Sequence, residues 1–467
     1  MVLANFPAPA AELWIGAATT NITPDRPVAL DGHRNLRISN TVESPLTATA
    51  LVVESRTGDT TTDQATIVSC DIVAIRPGVL EKVRAKVQSR RPDIDGRKVF
   101  LCATHTHNAP VTLEGRYALP ATGVMKPAEY VEFMTDRIAL GIDEAWRKRQ
   151  PGRVGWGQGQ AVVAQNRRAL YADGSAKMYG ATQSADFRRI EAVEDHNLEV
   201  LFFWDAQDRL VATALNPPCP AQEAEGGLAI HADFWHPVRE SLRARHGAEL
   251  CILAWTGAGG DQTSRPMFGK AADTRMRKLR GLTRLQEVAR RIVNGWEEAY
   301  SAAQLDQRAG VVLRHSVENL TLPHRQVTAA EVAEARQEAA KYARNPAQQW
   351  NYRWYQGVVE RFEAQQAGTE VPFEMELHVL RLGDVAIATN PFELFTDYGI
   401  QMKARSPAVQ TFVVQLTGSG GYLPTELAVR GGGYGAVIQS SRVGPDGGQM
   451  LVDRTVEAIR ALWSTAQ

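Results

Sequence analysis

Cysteine is scarce in this chain, with four residues among 467, widely spaced and without a C-x-x-C pair. This spacing argues against a disulfide framework and predicts reduced thiols in the core. Long apolar runs are also missing, because none approaches the ~20 residues that span a bilayer. Basic and acidic side chains balance at 52 each, so the chain lacks the basic excess that nucleic acid or an anionic membrane attracts.

The amino terminus lacks a basic segment followed by a long apolar one, so no secretory signal is visible. The sequence therefore predicts a cytoplasmic protein, or a secreted or periplasmic one if a signal has been trimmed. The composition, 44% apolar and 22% charged, is that of a globular protein with a sizeable core. The length fits about three folding units, one large domain or two intimate ones; we interpret residues 1–467 as a single large domain, with a helical, aromatic-rich sub-lobe over 306–375.

Strand and helix patterns alternate along the chain. Runs of apolar and β-branched residues bounded by turns predict strands, at Ala48–Glu54, Ala65–Val68, Lys98–Leu101, Leu198–Trp204, Leu210–Leu215, Leu250–Trp255, Glu376–Leu382, Val385–Thr389 and Thr411–Leu416. Apolar residues spaced by three and four predict helices, at Gly78–Arg90, Ala128–Lys148, Pro237–His246, Leu282–Ala303, Ala329–Ala343 and Val452–Trp463. The alternation predicts an α/β fold with layered mixed β-sheets flanked by helices.

The segment Arg344–Gln365 is the least regular, because Trp350, Tyr352, Trp354 and Tyr355 crowd a polar background. These aromatics could pack a helix against the core. They could equally line a ligand cleft, for example one for sugar rings. The pattern does not decide between the two.

The strongest local motif is Thr104-His105-Thr106-His107, directly after an apolar strand. Alternate residues at a strand end share a side, so both imidazoles point the same way. Ligands of α/β proteins bind at such carboxyl ends, and imidazole is a common metal ligand and proton carrier. The alternative is that both histidines only cap the strand by hydrogen bonding.

Three further segments each have a functional and a plain structural reading. Glu393, in Asn390-Pro391-Phe392-Glu393, could be a hard oxygen ligand or a surface ion-pair partner. The glycine-rich stretches Gly418–Tyr434 and Gly257–Pro266 could approach a ligand or make ordinary turns. The second of these lacks the glycine order of a nucleotide-binding loop.

Taken together, the motifs resemble the neutral ceramidase family. They occur in the family's order over nearly the whole chain, as Ile15-Gly-Ala-Ala, Ile22-Thr-Pro, Thr104-His-Thr-His, Asn166-Arg-Arg, Gly260-Asp-Gln, Pro391-x-Glu and Gly421-Tyr-Leu-Pro-Thr. The family is similar to zinc amidohydrolases with a mixed α/β catalytic domain, and its best-known members cut the amide bond of ceramide. The resemblance therefore implies a Zn²⁺-dependent hydrolase acting on an amide or ester bond.

The resemblance also implies roles for individual residues. By motif, His105, Glu393 and Tyr422 match metal ligands. His107 matches a substrate-side histidine that would move protons. Arg167 matches the residue that contacts the reacting carbonyl. Tyr434 stands twelve residues beyond Tyr422, where the family has a further tyrosine; Arg167 and Tyr434 would donate to the oxyanion.

Two departures from the family pattern affect the site. Pro220 stands where the family has its second metal histidine. We expect His236 or Asp233, rather than His231, to replace it, since zinc accepts nitrogen or carboxylate oxygen. Thr263 stands where the family has a serine, keeping the hydroxyl but adding a methyl group.

The chain stops soon after Trp463, so we expect no carboxyl-terminal immunoglobulin-like domain. This, together with the altered motifs, favours a soluble small-molecule substrate, acylated or sugar-derived, over ceramide. Two other readings stay open. One is a sugar hydrolase or lyase that uses Asp71, Asp233 or Asp261 in the same pocket; the other is a binding protein that has lost its metal.

Overall fold

A computed structural model describes residues 11–464 of the chain. The first ten residues, on which the expectation about a secretory signal rests, lie outside this range. The strands of the described chain are β1 Glu12–Asn21, β2 Ala29–Leu30, β3 Arg37–Ile38, β4 Thr41–Val42, β5 Thr47–Thr57, β6 Thr60–Cys70, β7 Val99–Ala103, β8 Gln150–Gln160, β9 Gln165–Asn166, β10 Arg168–Tyr171, β11 Ala176–Met178, β12 Phe187–Ile190, β13 Asn197–Asp205, β14 Leu210–Asn216, β15 Ala229–Ile230, β16 Cys251–Ala254, β17 Gln262–Thr263, β18 Leu313–Leu322, β19 Phe373–Leu382, β20 Val385–Thr389, β21 Phe392–Leu394, β22 Gln410–Val414 and β23 Gly421–Leu423.

The helices lie mostly between these strands. They are α1 Val79–Arg90, α2 Pro127–Lys148, α3 Trp235–His246, α4 Lys270–Leu279, α5 Arg284–Ala303, α6 Ala329–Tyr342, α7 Gln349–Ala367, α8 Thr396–Arg405, α9 Glu426–Gly431 and α10 Pro445–Ser464, with 3-10 turns at Gly96–Lys98 and Pro346–Gln348. No helix within residues 11–464 is long and apolar enough to cross a membrane.

Two sheets lie face to face. The larger has eight strands in the order β16-β14-β13-β8-β1-β5-β6-β7, and the smaller has four in the order β18-β19-β20-β22. Along β5, Ala50 and Val52 pack under α1 and α2, whereas Leu51 and Val53 meet Ile387 and other residues of the smaller sheet. Because successive side chains point to opposite faces, a strand covered on both sides is apolar throughout.

Helices cover the outer face of each sheet. Half of the larger sheet packs under α1 and α2 and the other half under α3 and α5, while α8 and α10 cover the smaller sheet. The result is four layers, helix–sheet–sheet–helix, with mixed pairing because β6–β7, β14–β16 and β20–β22 are parallel. The predicted layered α/β class is therefore confirmed. The four cysteines are free and buried, as their spacing predicts.

The connection between β18 and β19 contains α6 and α7. Thr328 begins α6, its hydroxyl accepting the Glu331 amide while the Glu331 carboxylate accepts the Thr328 amide. The two helices enclose a small hydrophobic cluster of their own that includes Val332 and Val358. The aromatic segment is thus helical, and the proposed sub-lobe over 306–375 stays a prediction about domain organisation.

Candidate active site

The site begins where β7 ends, at the His-x-His motif. His105 is buried and has a left-handed backbone (φ 70°), an uncommon conformation for a residue other than glycine. Its Nδ1 lies 2.7 Å from the Val73 carbonyl oxygen. Since a carbonyl only accepts, Nδ1 carries the proton, and Nε2 is left facing Glu393 Oε2 at 3.4 Å. A histidine ligand of a metal is held in the same way.

Glu393 and Tyr422 lie side by side because their strands pair. Strand β21 runs parallel to β23, and Glu393 is the register partner of Tyr422. Burial alone would raise the pKa of Glu393, but the nearby His105 imidazole and the Tyr422 hydroxyl lower it to about 2. Burial raises the pKa of Tyr422 well above its usual value. One imidazole, one carboxylate and one phenol therefore converge.

Arg167, in the chain between β9 and β10, reaches this group through Tyr422. Its terminal nitrogens donate to the Tyr179 hydroxyl (3.1 Å), Gln222 Oε1 (3.0 Å), the Gly260 carbonyl (2.8 Å) and the Tyr422 hydroxyl (3.3 Å). Burial opposes its charge, but the surrounding tyrosines raise the pKa of the guanidinium. All four terminal N–H groups are engaged, and the buried Nε has no hydrogen-bond partner. Arg167 therefore holds Tyr422 and Gln222 in place and keeps one donor free.

His107 continues the network on the other side of His105, with 5.0 Å between the two ring centroids. Its Nε2 lies 2.7 Å from Gln222 Nε2, and its Nδ1 lies 3.0 Å from Glu225 Oε2. Burial lowers the pKa of His107 to about 4, against the opposing effect of Glu225. His33 faces the same carboxylate, its Nε2 3.9 Å from Glu225 Oε2.

The remaining predicted catalytic residues lie further out. The Tyr434 ring stands at 74° to the Tyr422 ring, 5.6 Å away, and Tyr434 is 38% exposed, which places it at the entrance. Thr263 is buried, and its hydroxyl lies 3.4 Å from the hydroxyl of Tyr179, itself a partner of Arg167. The structure thus brings both residues to the Arg167 network.

Asp233 and His236, the expected replacement ligands, have backbone partners of their own. The Asp233 carboxylate accepts the backbone amides of Ala224 and Phe234, and burial raises its pKa to about 6. His236 lies in the first turn of α3, where its amide donates to the Asp233 carbonyl. Within residues 11–464, no hydrogen bond or ion pair joins either side chain to His105. Their role as replacement ligands stays a prediction.

Other expected functional groups have structural partners. Asp71 forms a bidentate ion pair with Arg239, with the two guanidinium nitrogens 2.7 and 3.0 Å from the two carboxylate oxygens. Asp261 accepts Asn166 Nδ2 and the amide and hydroxyl of Thr396. In the loop Gly257–Pro266, a side chain on Gly260 would collide with the backbone of Glu393. That glycine therefore allows two backbones to pack closely rather than cradling a phosphate.

The sequence did not point to His33, Glu225 or a role for Gln222. The available clue was position: Gln222 and Glu225 follow closely on Pro220, where the family's histidine is missing. Gln222 now links Arg167 to His107. His33 comes from the loop between β2 and β3, and no pattern in the sequence connects it to the other two.

Sequence comparisons give a limited match. No known sequence-family profile matches the chain. It resembles the neutral ceramidase of Pseudomonas aeruginosa, with 30% identity over 145 residues, which are 31% of this chain and 20% of the relative.

Structural comparison covers far more of the chain. The crystal structure of neutral ceramidase from Pseudomonas aeruginosa aligns with a TM-score of 0.68 over 97% of this chain and 75% of that one, at 16% identity. A structure described as ceramidase complexed with C2 aligns with the same TM-score over 97% and 76%, at 15% identity. The fold is therefore that of a neutral ceramidase, and the resemblance predicted from the motifs is confirmed.

Proposed function

We propose that this chain, which has the neutral ceramidase fold, is a zinc-dependent hydrolase that cleaves an amide or ester bond of a small-molecule substrate. The observation that carries the proposal is the convergence of His105, Glu393 and Tyr422. The matched relatives are longer, so their activity is a guide to the reaction class and does not identify the substrate.

The donor set fits zinc. A catalytic zinc site needs about three protein ligands and one open position, and nitrogen and oxygen donors both suit it. His105 is fixed with Nε2 turned toward the Glu393 carboxylate, so that two acceptors face each other unless a proton or a cation lies between them. The histidine missing at Pro220 would have been a fourth protein ligand. Three remain without it.

The surrounding side chains have distinct tasks in such a reaction. Zinc, when bound, supplies Lewis acidity and lowers the pKa of a water to near neutrality. Arg167 orients Tyr422 and has its Nε free to donate to a substrate carbonyl oxygen. Tyr434, at the entrance, has a hydroxyl that can donate to the same oxygen. His107 is the nearest imidazole for carrying a proton to the leaving group.

The entrance favours a polar substrate. Arg34 is exposed, and its guanidinium carbon lies 4.9, 4.5 and 5.2 Å from the ring centroids of Trp350, Trp354 and Tyr434. A cation held on aromatic rings attracts anionic or strongly polar groups. We therefore propose a water-soluble acyl amide or ester rather than a membrane lipid.

The test combines zinc analysis with hydrolysis of chromogenic acyl amides and esters. We expect about one zinc per chain at the His105 group, with activity and this zinc both lost in His105→Ala and Glu393→Gln. His196→Ala is the matched control, since His196 pairs with Glu194 elsewhere in the chain. Full activity in Glu393→Gln, or wild-type protein that binds no zinc, would refute the proposal; the second result would favour a metal-free binding protein.

A sugar-directed enzyme is the second candidate, supported by the aromatic cluster beside Tyr434. Trp350 and Trp354 stack at 5.5 Å, and Trp354 lies 6.1 Å from Tyr434. Replacing both tryptophans with alanine should then weaken binding of sugar derivatives while leaving hydrolysis of simple acyl esters unchanged. If sugar binding and ester hydrolysis fall equally, or if neither changes, the result would count against this candidate.

A further inference from the structure

Three potential metal ligands meet on the far side of His107. One ligand atom each from His33, His107 and Glu225 lie within 4.8 Å of one another, and Glu225 Oε2 is 3.9 Å from His33 Nε2 and 3.0 Å from His107 Nδ1. Two imidazoles and one carboxylate form a donor set that divalent first-row transition metals favour. None of the three belongs to the group formed by His105, Glu393 and Tyr422.

Both imidazole nitrogens lack hydrogen-bond partners. His33 Nε2 and His107 Nδ1 are buried, and neither has a partner within the described chain. Glu225 Oε2 lies 3.0 Å from His107 Nδ1, and although burial opposes it, this contact helps to lower the pKa of Glu225 to about 2. Buried polar atoms are nearly always satisfied, so the buried His33 Nε2 without a partner, beside the Glu225 carboxylate, indicates a partner that the chain itself does not supply.

The three ligands are held by a shared support. The Arg37 guanidinium donates to the backbone carbonyls of Asp31, His107 and Gly227, and so ties together the three segments that carry the ligands. Arg265 Nη1 lies 3.1 Å from Glu225 Oε1. The other oxygen of Glu225 is therefore the one turned toward both histidines. This arrangement fixes the ligands before any ion arrives.

We propose that His33, His107 and Glu225 bind a divalent transition-metal ion at a second site. Ligation through Nδ1 places the His107 proton on Nε2, so metal binding requires the Gln222 amide to turn its oxygen from Arg167 toward His107. Arg167 then keeps Tyr179, Gly260 and Tyr422 as acceptors. A ligating histidine whose other nitrogen donates to an oxygen is the usual arrangement in metal sites.

The proposal does not rest on the hydrolase function, although it uses His107, the proposed proton carrier; an experiment that measures metal binding alone separates the two. Chelator-treated full-length protein is titrated with Co²⁺, and the visible absorption and bound metal are measured together. We expect Glu225→Gln and His33→Gln each to weaken one Co²⁺ site by at least roughly 10-fold. Glu393→Gln should leave that site unchanged, while Glu225→Gln leaves the site at His105 unchanged.

The controls cover folding and local charge. Glu223→Gln is the matched variant, because Glu223 lies in the same loop but pairs with Arg284, and it should leave both Co²⁺ sites intact. His33 is in a partly exposed loop, so His33→Gln should fold and still measure Co²⁺ affinity at the second site even if Glu225→Gln folds poorly. Unchanged Co²⁺ stoichiometry and affinity in His33→Gln and Glu225→Gln would overturn the proposal, whatever the result at His105.

A second readout addresses the tautomer. Gln222→Glu would give His107 Nε2 a carboxylate acceptor, and we expect it to tighten the Co²⁺ site that Glu225→Gln weakens. If Gln222→Glu instead abolishes binding at that site, the assigned ligand atom of His107 is wrong and the proposal fails.

Discussion

Gly32 packs directly against the His107 ring, with no room between them for a side chain. Gly32 has φ +92°, and a Cβ there would lie 2.6 Å from both Cδ2 and Nδ1 of His107. Ordinary Cβ contacts begin near 3.4 Å, so Gly32→Ala requires the ring to move by roughly 1 Å in a close-packed interior. We therefore expect the substitution to displace His107 from both Glu225 and Gln222.

The expected loss of unfolding free energy in Gly32→Ala has two parts, and a control variant can separate them. The left-handed backbone costs an alanine about 1–2 kcal/mol, and overpacking costs about 1–3 kcal/mol more. Gly174 has φ +83° and nothing within 4 Å of its Cβ position. Gly174→Ala therefore measures the backbone part alone.

The assay is urea unfolding of both variants beside wild type, with the slopes compared to verify that the same transition is measured. Gly32→Ala should lose about 1–3 kcal/mol more than Gly174→Ala. It should also lose Co²⁺ affinity at the second site, which Gly174→Ala should retain. Equal losses of stability in the two variants would refute the reasoning, because they would mean that the His107 ring is not held against Gly32.

Three further predictions concern the rest of the chain. Arg168 is fully buried and paired with Glu191 at 2.5 Å, so Arg168→Met should lower the free energy of unfolding by about 3–5 kcal/mol. The exposed Arg454→Met should lower it by less than about 1 kcal/mol. Similar urea midpoints for the two variants would contradict this prediction. Pairing with Arg290 lowers the pKa of Glu287 from 4.5 to about 2. The ionised carboxylate therefore stabilises the fold fully above pH 4.5, and this stabilisation fades as the pH falls toward 2. The difference in unfolding free energy between wild type and Glu287→Gln should narrow over that range, and a constant difference would contradict the prediction. The four buried thiols, whose pKa values burial raises, should resist a thiol reagent in native protein and all react after unfolding, so rapid reaction of any thiol in native protein would disprove their burial.

Periodicity predicted the well-patterned elements closely. The strand Val385–Thr389 was predicted with its observed bounds, and Ala128–Lys148 became α2 with one more residue. These segments carry their pattern locally, since one face or both faces are apolar. The layered α/β class followed from their alternation.

Strand β8 was missed for a physical reason. Its sequence, QPGRVGWGQGQ, has the proline and glycines of a loop. In the fold, Gly157 and Gly159 let the backbone of α5 lie directly on the strand, where a side chain would collide with Ala299 or Gly295. Glycine here serves close packing of a helix on a sheet, which depends on a partner more than a hundred residues away.

The site was predictable in the same unequal way. His105, Glu393 and Tyr422 lie in recognisable motifs, and the structure places them together. Gln222 and Glu225 could not be assigned roles, because their partners are set by tertiary contacts. Sequence spacing alone suggests Asp233 and His236 as ligands. It cannot show that the Asp233 carboxylate already accepts hydrogen bonds from two backbone amides.

The side chains of the candidate active site come from position 33 through position 434 of the chain. Contacts so distant along the chain close large loops, and loop closure is what slows folding most. Partly folded chains, which are common at this length, would have most of their helices yet no working pocket. Recovery of the proposed zinc binding during refolding should then lag behind recovery of the helical signal, and the lag would measure how long the two sheets take to pack together.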